Sequence, residues 1–280
     1  MTTVAPDGDL NDFTLDTFEA DGVTHPIYRR GTGPAVIIIT ELPGITPQVL
    51  GFANRVVAIG CSVVLPQLYG TPGRRPFEGS RVSDIAYNLR SSVRACVSRE
   101  FSAFALNKTS PIANWLRALA RAEHQRCGGP GVGAVGMCFS GGFSLAMATD
   151  PSVVAPVMSQ PSLPLGLNAA RRGSIDVSPD DLDVVASRCT AEGLRVLGLR
   201  FNGDRLVPGE RFAYLAERLG DGFVAVELEQ ADGNPAALDN PVLSDHHSVL
   251  TGSLIDEVGQ PTRDTLDRVL ELFTARLLTE

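Results

Sequence analysis

The stretch GVGAVGMCFSGGFSLAMA, residues 131–148, decides the fold of this 280-residue chain. Its first half is a short apolar run of the kind that forms a buried strand, and its second half continues as a helix after a tight turn. Cys138 stands at the bend, where hydrolytic enzymes usually carry a serine nucleophile, and Ser140 follows two residues later. The stretch therefore predicts a strand, a turn and a helix, with two candidate nucleophiles at the turn.

Strands and helices alternate almost throughout the rest of the chain. The run AVIIITEL, residues 35–42, is rich in β-branched residues and is typical of a central strand covered on both faces. The segment between Tyr69 and Pro130 predicts at least two helices, around residues 81–98 and 110–125. The alternation indicates a three-layer α/β fold, with a mostly parallel sheet and helices on both faces. We expect one domain over residues 1–280, with residues 1–16 as a loose lead-in.

Composition and charge argue against several classes of function. The net charge of −8 disfavours nucleic acid as a partner. No apolar run approaches the ~20 residues that span a bilayer, and the N-terminus lacks the features of a signal peptide, so we expect a cytoplasmic protein without membrane contact. The five cysteines are single and widely spaced, which argues against a disulfide framework or a metal cluster. The oligomeric state does not follow from the composition.

Candidate catalytic groups follow four of the predicted strands. Ligands of parallel sheets bind outside the carboxyl ends of the strands, so the residues just after each strand are the place to look for chemistry. In chain order these positions hold Glu41, Cys138, Asp204 and the pair His246 and His247. A nucleophile followed by an acid and then a histidine is the chain order of the α/β-hydrolase triad.

The register of the turn favours Cys138 over Ser140 as the nucleophile. A nucleophile elbow needs small residues two positions before and after the nucleophile, and Cys138 has Gly136 and Ser140 there. The predicted strand ends at Cys138, whereas Ser140 lies within the first helical turn. The amide of Phe139, at the start of the helix, is expected to face developing negative charge, and the helix N-terminus to stabilise a thiolate. The alternative is a buried cysteine in a turn whose glycines serve packing only.

The acid and the base are predicted from the later strand ends. Asp204, in NGDRLVP, is expected to orient a histidine, and its alternative role is that of a turn or capping residue. Among the four histidines of the sequence, only His246 and His247 fall where a general base is needed. One of the two is expected to accept the proton of Cys138, and the other to be exposed or a neighbour of the site.

These motifs resemble those of the dienelactone hydrolase family. The likeness runs from VIIITELPGITPQV to the last helix, and its most specific parts are ELPGI, GMCFSGG, GDRLVP and HSVL. The resemblance implies an α/β-hydrolase fold that works without a cofactor or metal, and a triad of Cys138, Asp204 and His247. His247 is preferred because the small Ser248 follows it, as in the family, and His246 is the alternative.

The resemblance also implies roles for residues around the triad. In the family a glutamate at this strand end contacts the resting cysteine, which makes Glu41 a modulator of the nucleophile. The next amide, that of Leu42, joins the amide of Phe139 in the oxyanion hole. The best-known members place an arginine shortly after the histidine to hold a substrate carboxylate, whereas this chain has Thr251 there. Arg99 is the candidate substitute for substrate binding, with an ordinary surface residue as the alternative.

The sequence thus predicts a hydrolase of small ester or lactone substrates that passes through an acyl-enzyme. An amidotransferase-like domain also uses an elbow cysteine, but it pairs its histidine with a carboxylate two residues on, where this chain has Val249. The alternative from another class is a non-catalytic member of the fold that binds a small ligand or senses oxidation through Cys138.

Overall fold

The computed structural model describes residues 6–75, 108–163, 172–239 and 245–279 of the chain. The strands are β1 (Thr14–Ala20), β2 (Val23–Arg30), β3 (Ala35–Ile39), β4 (Ser62–Pro66), β5 (Val132–Met137), β6 (Val153–Ser159), β7 (Val196–Phe201) and β8 (Phe223–Leu228). The helices are α1 (Pro47–Ala58), α2 (Ile112–Cys127), α3 (Gly141–Met147), α4 (Pro179–Glu192), α5 (Gly209–Leu219) and α6 (Pro261–Phe273). Within these ranges, no helix has both the length and the apolar character needed to cross a membrane.

The strands form one sheet in the order β1-β2-β4-β3-β5-β6-β7-β8. The pairs β1–β2 and β2–β4 are antiparallel, and all the other neighbours are parallel. In the parallel part, β3, β5, β6 and β7 lie side by side, so their carboxyl ends meet at one edge of the sheet. This edge is where ligands of such sheets bind.

Helices cover both faces of the sheet and bury it in two apolar layers. Successive residues of β3 point to opposite faces, with Ile37 and Ile39 in one apolar cluster and Val36 and Ile38 in the other. The first cluster contains side chains of α2, α3, α4 and α5 (Trp115, Phe143, Leu182, Phe212), and the second contains side chains of α1 and α6 (Phe52, Phe273). Burial on both faces explains why the central strands are apolar without alternation.

The prediction of a three-layer α/β fold with a mostly parallel sheet is confirmed. The central strand predicted over residues 35–42 ends earlier, at Ile39. Its last residues turn away from the sheet because the amide of Gly44 donates to the carbonyl of Glu41 at 2.8 Å, which closes a turn.

Two other predictions concern the N-terminal segment and the segment between Tyr69 and Pro130. Strand β1 begins at Thr14, within the segment 1–16 that the sequence predicts to be loose, because its backbone pairs with β2 from Thr14 onward. Helix α2 is the second of the two helices predicted between Tyr69 and Pro130. The first, around residues 81–98, lies outside the described residues.

The turn between β5 and α3 brings backbone segments into close contact. A Cβ atom at Gly136 would lie 2.2 Å from the carbonyl oxygen of Ser140, and one at Gly141 would lie 2.5 Å from Cα of Pro161. Real Cβ atoms do not approach other heavy atoms so closely, so both positions require glycine. This packing fixes the turn at the carboxyl edge of the sheet.

Gly136→Ala is expected to lower the free energy of unfolding by about 3 kcal/mol or more, because the added methyl meets backbone that cannot retreat. Gly173→Ala is the matched control, since the nearest atom to its added Cβ is the carbonyl oxygen of Glu210 at 4.0 Å. The control is expected to change the free energy of unfolding by less than about 0.5 kcal/mol. Urea denaturation measures both, and a wild-type midpoint for Gly136→Ala would contradict the close approach.

Candidate active site

Cys138 occupies a strained position between β5 and α3. Its φ is +54°, in the left-handed region that residues other than glycine, asparagine and aspartate rarely adopt. Such strain is stored where surrounding contacts fix the backbone, and it is common at functional turns. Here it turns the side chain of Cys138 out of the strand at the carboxyl edge of the sheet, and the residue is half-buried.

Ser140, the other candidate nucleophile, is used inside the turn. Its side chain is fully buried. Its hydroxyl oxygen accepts from the amide of Met137 at 2.9 Å and lies 2.8 Å from the carbonyl oxygen of Ile39, to which it can donate. The hydroxyl therefore ties the elbow to the end of β3 and is closed to solvent.

Asp204 and His247 form a buried pair. Asp204 follows β7 and His247 lies in the loop before α6, yet Nδ1 of His247 donates to Oδ2 of Asp204 at 2.7 Å. Both residues are 4% exposed. The other carboxylate oxygen of Asp204 accepts from the amide of Leu206 at 2.9 Å, which fixes the carboxylate. This arrangement holds the ring of His247 in one orientation, with Nε2 turned away from Asp204.

Nε2 of His247 is buried and has no hydrogen-bond partner among the described residues. Burial alone lowers the pKa of His247, but the negative charge that Cys138 carries when ionised and the hydrogen bond that the ring donates to Asp204 outweigh this effect, so the pKa lies well above 6.5. Cys138 is thus close enough to the ring of His247 to raise its pKa. The geometry suits a thiolate–imidazolium pair.

His246, the neighbouring histidine, has a different environment. Its Nδ1 lies 3.2 Å from the hydroxyl of Ser253, and its ring stands beside that of Phe201 with 5.5 Å between centroids. Burial lowers the pKa of His246. Of the two histidines that the sequence leaves open, His247 is the one bonded to Asp204.

Glu41 is buried beneath the loop that carries His247. Its carboxylate accepts from the hydroxyl of Ser248 at 2.7 Å, from the hydroxyl of Thr251, and from the side-chain Nε2 of Gln160 at 3.1 Å. A contact with the resting Cys138, which the family resemblance implies, is not among these bonds. Glu41 instead joins the end of β3 to the histidine loop.

Leu42 and Phe139 follow neighbouring strands. The paired strands β3 and β5 are in register at Ile39 and Gly136, so the amides of Leu42 and Phe139 lie just beyond the same edge of the sheet. Two amides that follow neighbouring strand ends are candidates to donate to one oxyanion. Arg99, the candidate substrate-binding residue, lies outside the described residues. Among the described residues, no group of three histidine, cysteine or acidic side chains is arranged to hold a metal ion.

Sequence reasoning missed the loop after β6, which also reaches the site. The hydroxyl of Ser162 lies 3.0 Å from Sγ of Cys138. Gln160 has a φ of +37°, and its side-chain oxygen accepts from the amide of Val249 at 3.3 Å. The sequence signal for this loop is the stretch VMSQPS, which places Gln160 and Ser162 after a fifth strand on the same edge of the sheet. Serine and glutamine after a strand do not by themselves indicate a particular chemistry.

Comparisons with known proteins give one family match and several solved structures with the same fold. A model of the dienelactone hydrolase family matches residues 23–174, which is more than half of the 280-residue chain. Among solved structures, a candidate dienelactone hydrolase from Klebsiella pneumoniae is 15% identical with a TM-score of 0.58, over 94% of this chain and 98% of that one. A dienelactone hydrolase from Anabaena variabilis is 12% identical with a TM-score of 0.54, over 95% of this chain and 98% of that one.

A third solved structure carries a different activity. It is a dienelactone hydrolase-like promiscuous phosphotriesterase from metagenomic libraries, 15% identical with a TM-score of 0.56, over 95% of this chain and 98% of that one. No curated protein matches the sequence significantly. At these identities the solved structures establish the shared fold and leave the substrate open.

The imidazole of His247 is expected to stay protonated above pH 6.5. Cys138→Ala is expected to lower the pKa of His247, because the negative charge of Cys138 then no longer offsets the effect of burial. Because the folded-state pKa is raised, the stabilising contribution of His247 is complete below pH 6.5 and is lost as the pH rises through the folded-state pKa. Cys138→Ala is expected to flatten this part of the stability profile.

Imidazole NMR titration measures the effect, and His246, whose pKa burial lowers, serves as the internal control. Equal titration of His247 in the wild type and in Cys138→Ala would show that the two groups do not interact.

Proposed function

This chain belongs to the dienelactone hydrolase family, and from that premise we propose that it hydrolyses small ester or lactone substrates with a Cys138–His247–Asp204 triad and no cofactor. The observation that carries the proposal is the 2.7 Å bond between His247 and Asp204, with Nε2 of His247 left buried and unpaired within reach of the Cys138 charge. Such a nitrogen is ready to exchange a proton with a reacting group.

Acylation begins when the thiolate of Cys138 attacks the carbonyl carbon of the substrate. The new sulfur–carbon bond forms as the carbonyl electron pair moves to oxygen, and the amides of Leu42 and Phe139 donate to that oxyanion. When the pair returns, the bond to the leaving oxygen breaks, and Nε2 of His247 gives its proton to the departing alkoxide. The product of this half-reaction is a thioester on Cys138.

Deacylation follows the same path with water in place of the alcohol. Neutral His247 takes a proton from water as the water oxygen attacks the thioester carbon, and the oxyanion returns to the same two amides. Collapse expels the thiolate of Cys138 and releases the acid. Asp204 keeps Nδ1 of His247 protonated throughout and stabilises the imidazolium that forms.

Cys138→Ala is expected to lower kcat for p-nitrophenyl esters at least about 10³-fold, because the chain then lacks its nucleophile, while the protein stays folded. Cys189→Ala is the matched control: its thiol is also half-buried, burial raises its pKa, and it packs on helix α4 against Gly222. Steady-state kinetics on p-nitrophenyl esters, lactones and a phosphotriester gives both the activity and the substrate class.

Intact mass after exposure to an activated ester tests the acyl-enzyme separately. One acyl group on the wild type, and none on Cys138→Ala, is the expected result. Unchanged turnover in Cys138→Ala would refute the assignment, and oxidation of Cys138 by peroxide without acylation by any ester would favour a redox sensor.

Glu41 is proposed to act as a positioning residue for His247. Glu41→Gln keeps the shape of the side chain, but it replaces one accepting oxygen by a donor, so the hydroxyl of Ser248 or of Thr251 loses its partner. We expect kcat to fall about tenfold with KM little changed, since a charge-assisted bond of this kind is worth about 1.5–3 kcal/mol.

The matched control is Glu123→Gln, because Glu123 is also a buried carboxylate but pairs with Arg29 and Arg126. Its substitution is expected to lower stability and leave kcat unchanged. A change in KM alone for Glu41→Gln would indicate that Glu41 contacts the substrate and does not position His247.

A further inference from the structure

Cys138 and Ser162 are joined by two contacts. The hydroxyl oxygen of Ser162 lies 3.0 Å from Sγ of Cys138, and the amide of Ser162 donates to the carbonyl oxygen of Cys138 at 2.9 Å. Ser162 is 9% exposed, so its hydroxyl is largely withdrawn from water. The backbone contact places the hydroxyl opposite the sulfur before any substrate arrives.

The segment that carries Ser162 is held on both sides. The amide of Gln160 donates to the carbonyl of Leu199 at 2.7 Å, which pins the end of β6 to β7. The carbonyl of Pro161 accepts from Nη1 of the fully buried Arg211 at 2.7 Å. Pro161 also packs against Gly141 at the start of α3, so Ser162 cannot move away from the elbow without disturbing it.

The protonation state of Cys138 determines whether the Ser162 hydroxyl or the sulfur donates the hydrogen bond. The proposed function requires Cys138 to react as a thiolate, and a thiolate has no proton to give, so in that form the hydroxyl of Ser162 is the donor across the 3.0 Å contact. Among the described residues, this hydroxyl has no partner other than Cys138, whereas the carboxylate of Glu41 is occupied by donors from three other residues. In its thiolate form the sulfur therefore has a hydroxyl donor in Ser162 at 3.0 Å.

We infer that Ser162 is a further catalytic residue, whose hydroxyl donates to the resting thiolate of Cys138 and holds the enzyme in its reactive form before substrate binds. The inference rests on the proposed function. When sulfur bonds to the substrate carbon, its negative charge is consumed and the Ser162 bond weakens. The bond is restored when deacylation expels the thiolate, so Ser162 also favours that step.

Alkylation of Cys138 tests this inference without requiring turnover. The probe is iodoacetamide, and modification is followed across pH by the mass of the peptide that contains Cys138, because the sequence has five cysteines. In Ser162→Ala the alkylation rate at neutral pH is expected to fall about tenfold, with the midpoint of the pH profile moved up by about one unit. Ser162→Thr keeps the hydroxyl and is expected to retain the wild-type profile.

Ser152→Ala is the matched control. Ser152 is also 9% exposed, and its hydroxyl donates to Asp150 at 2.7 Å at the opposite end of β6. Its substitution is expected to leave the alkylation profile unchanged, which separates loss of a buried hydroxyl from loss of this one. Thermal unfolding checks that each variant is folded. If Ser162→Ala does not fold, Ser162→Thr and Ser162→Val are compared instead. A wild-type alkylation profile in Ser162→Thr and a shifted profile in Ser162→Val then support the same conclusion.

Wild-type alkylation in Ser162→Ala would overturn the inference, because the thiolate would then be equally populated without the hydroxyl. The proposed function fails by a different result, namely ester turnover that survives in Cys138→Ala. If alkylation falls in Ser162→Ala while Cys138→Ala still hydrolyses esters, then Ser162 activates Cys138 but Cys138 is not the nucleophile of the hydrolysis.

Discussion

The close approach of the turn after β5 to its neighbours is the constraint on which the site depends. A positive φ at Cys138 costs on the order of 1–3 kcal/mol and persists only because the surrounding contacts leave the backbone no alternative. Gly136 and Gly141 permit those contacts, and Ser140 closes them with hydrogen bonds inside the turn. The sulfur is therefore presented at a fixed point on the edge of the sheet, and every other group of the site is arranged around that point.

The loops that meet there are tied to one another through buried polar groups. Glu41 after β3 holds the hydroxyls of the histidine loop, Asp204 after β7 holds the ring of His247, and Arg211 on α5 holds the loop after β6. Buried polar groups are costly unless their partners are in place, so such a network specifies one arrangement of the loops. Donors fixed in this way need little reorganisation when charge develops in a reaction.

The groups that can be predicted from the sequence are those whose place depends on local pattern. Cys138 and Asp204 stand directly after apolar strands, and a parallel sheet brings such positions to one edge. The bonds of Glu41 cannot be predicted in this way, because Ser248 and Thr251 lie 207 and 210 residues further along the chain. Ser162 also follows a strand, but a serine there becomes meaningful only through its distance to the sulfur.

Thr251 changes the charge of the site relative to the pattern of the family. It lies four positions after His247, where the resemblance to other members of the family implies an arginine, and it reaches Glu41 as a neutral donor. A single exchange at this position adds a positive charge beside a buried carboxylate while the sheet, the elbow and the triad keep their residues. The residue that sets the charge beside Glu41 thus also ties the histidine loop to the end of β3, so charge at this point and the placement of His247 are coupled.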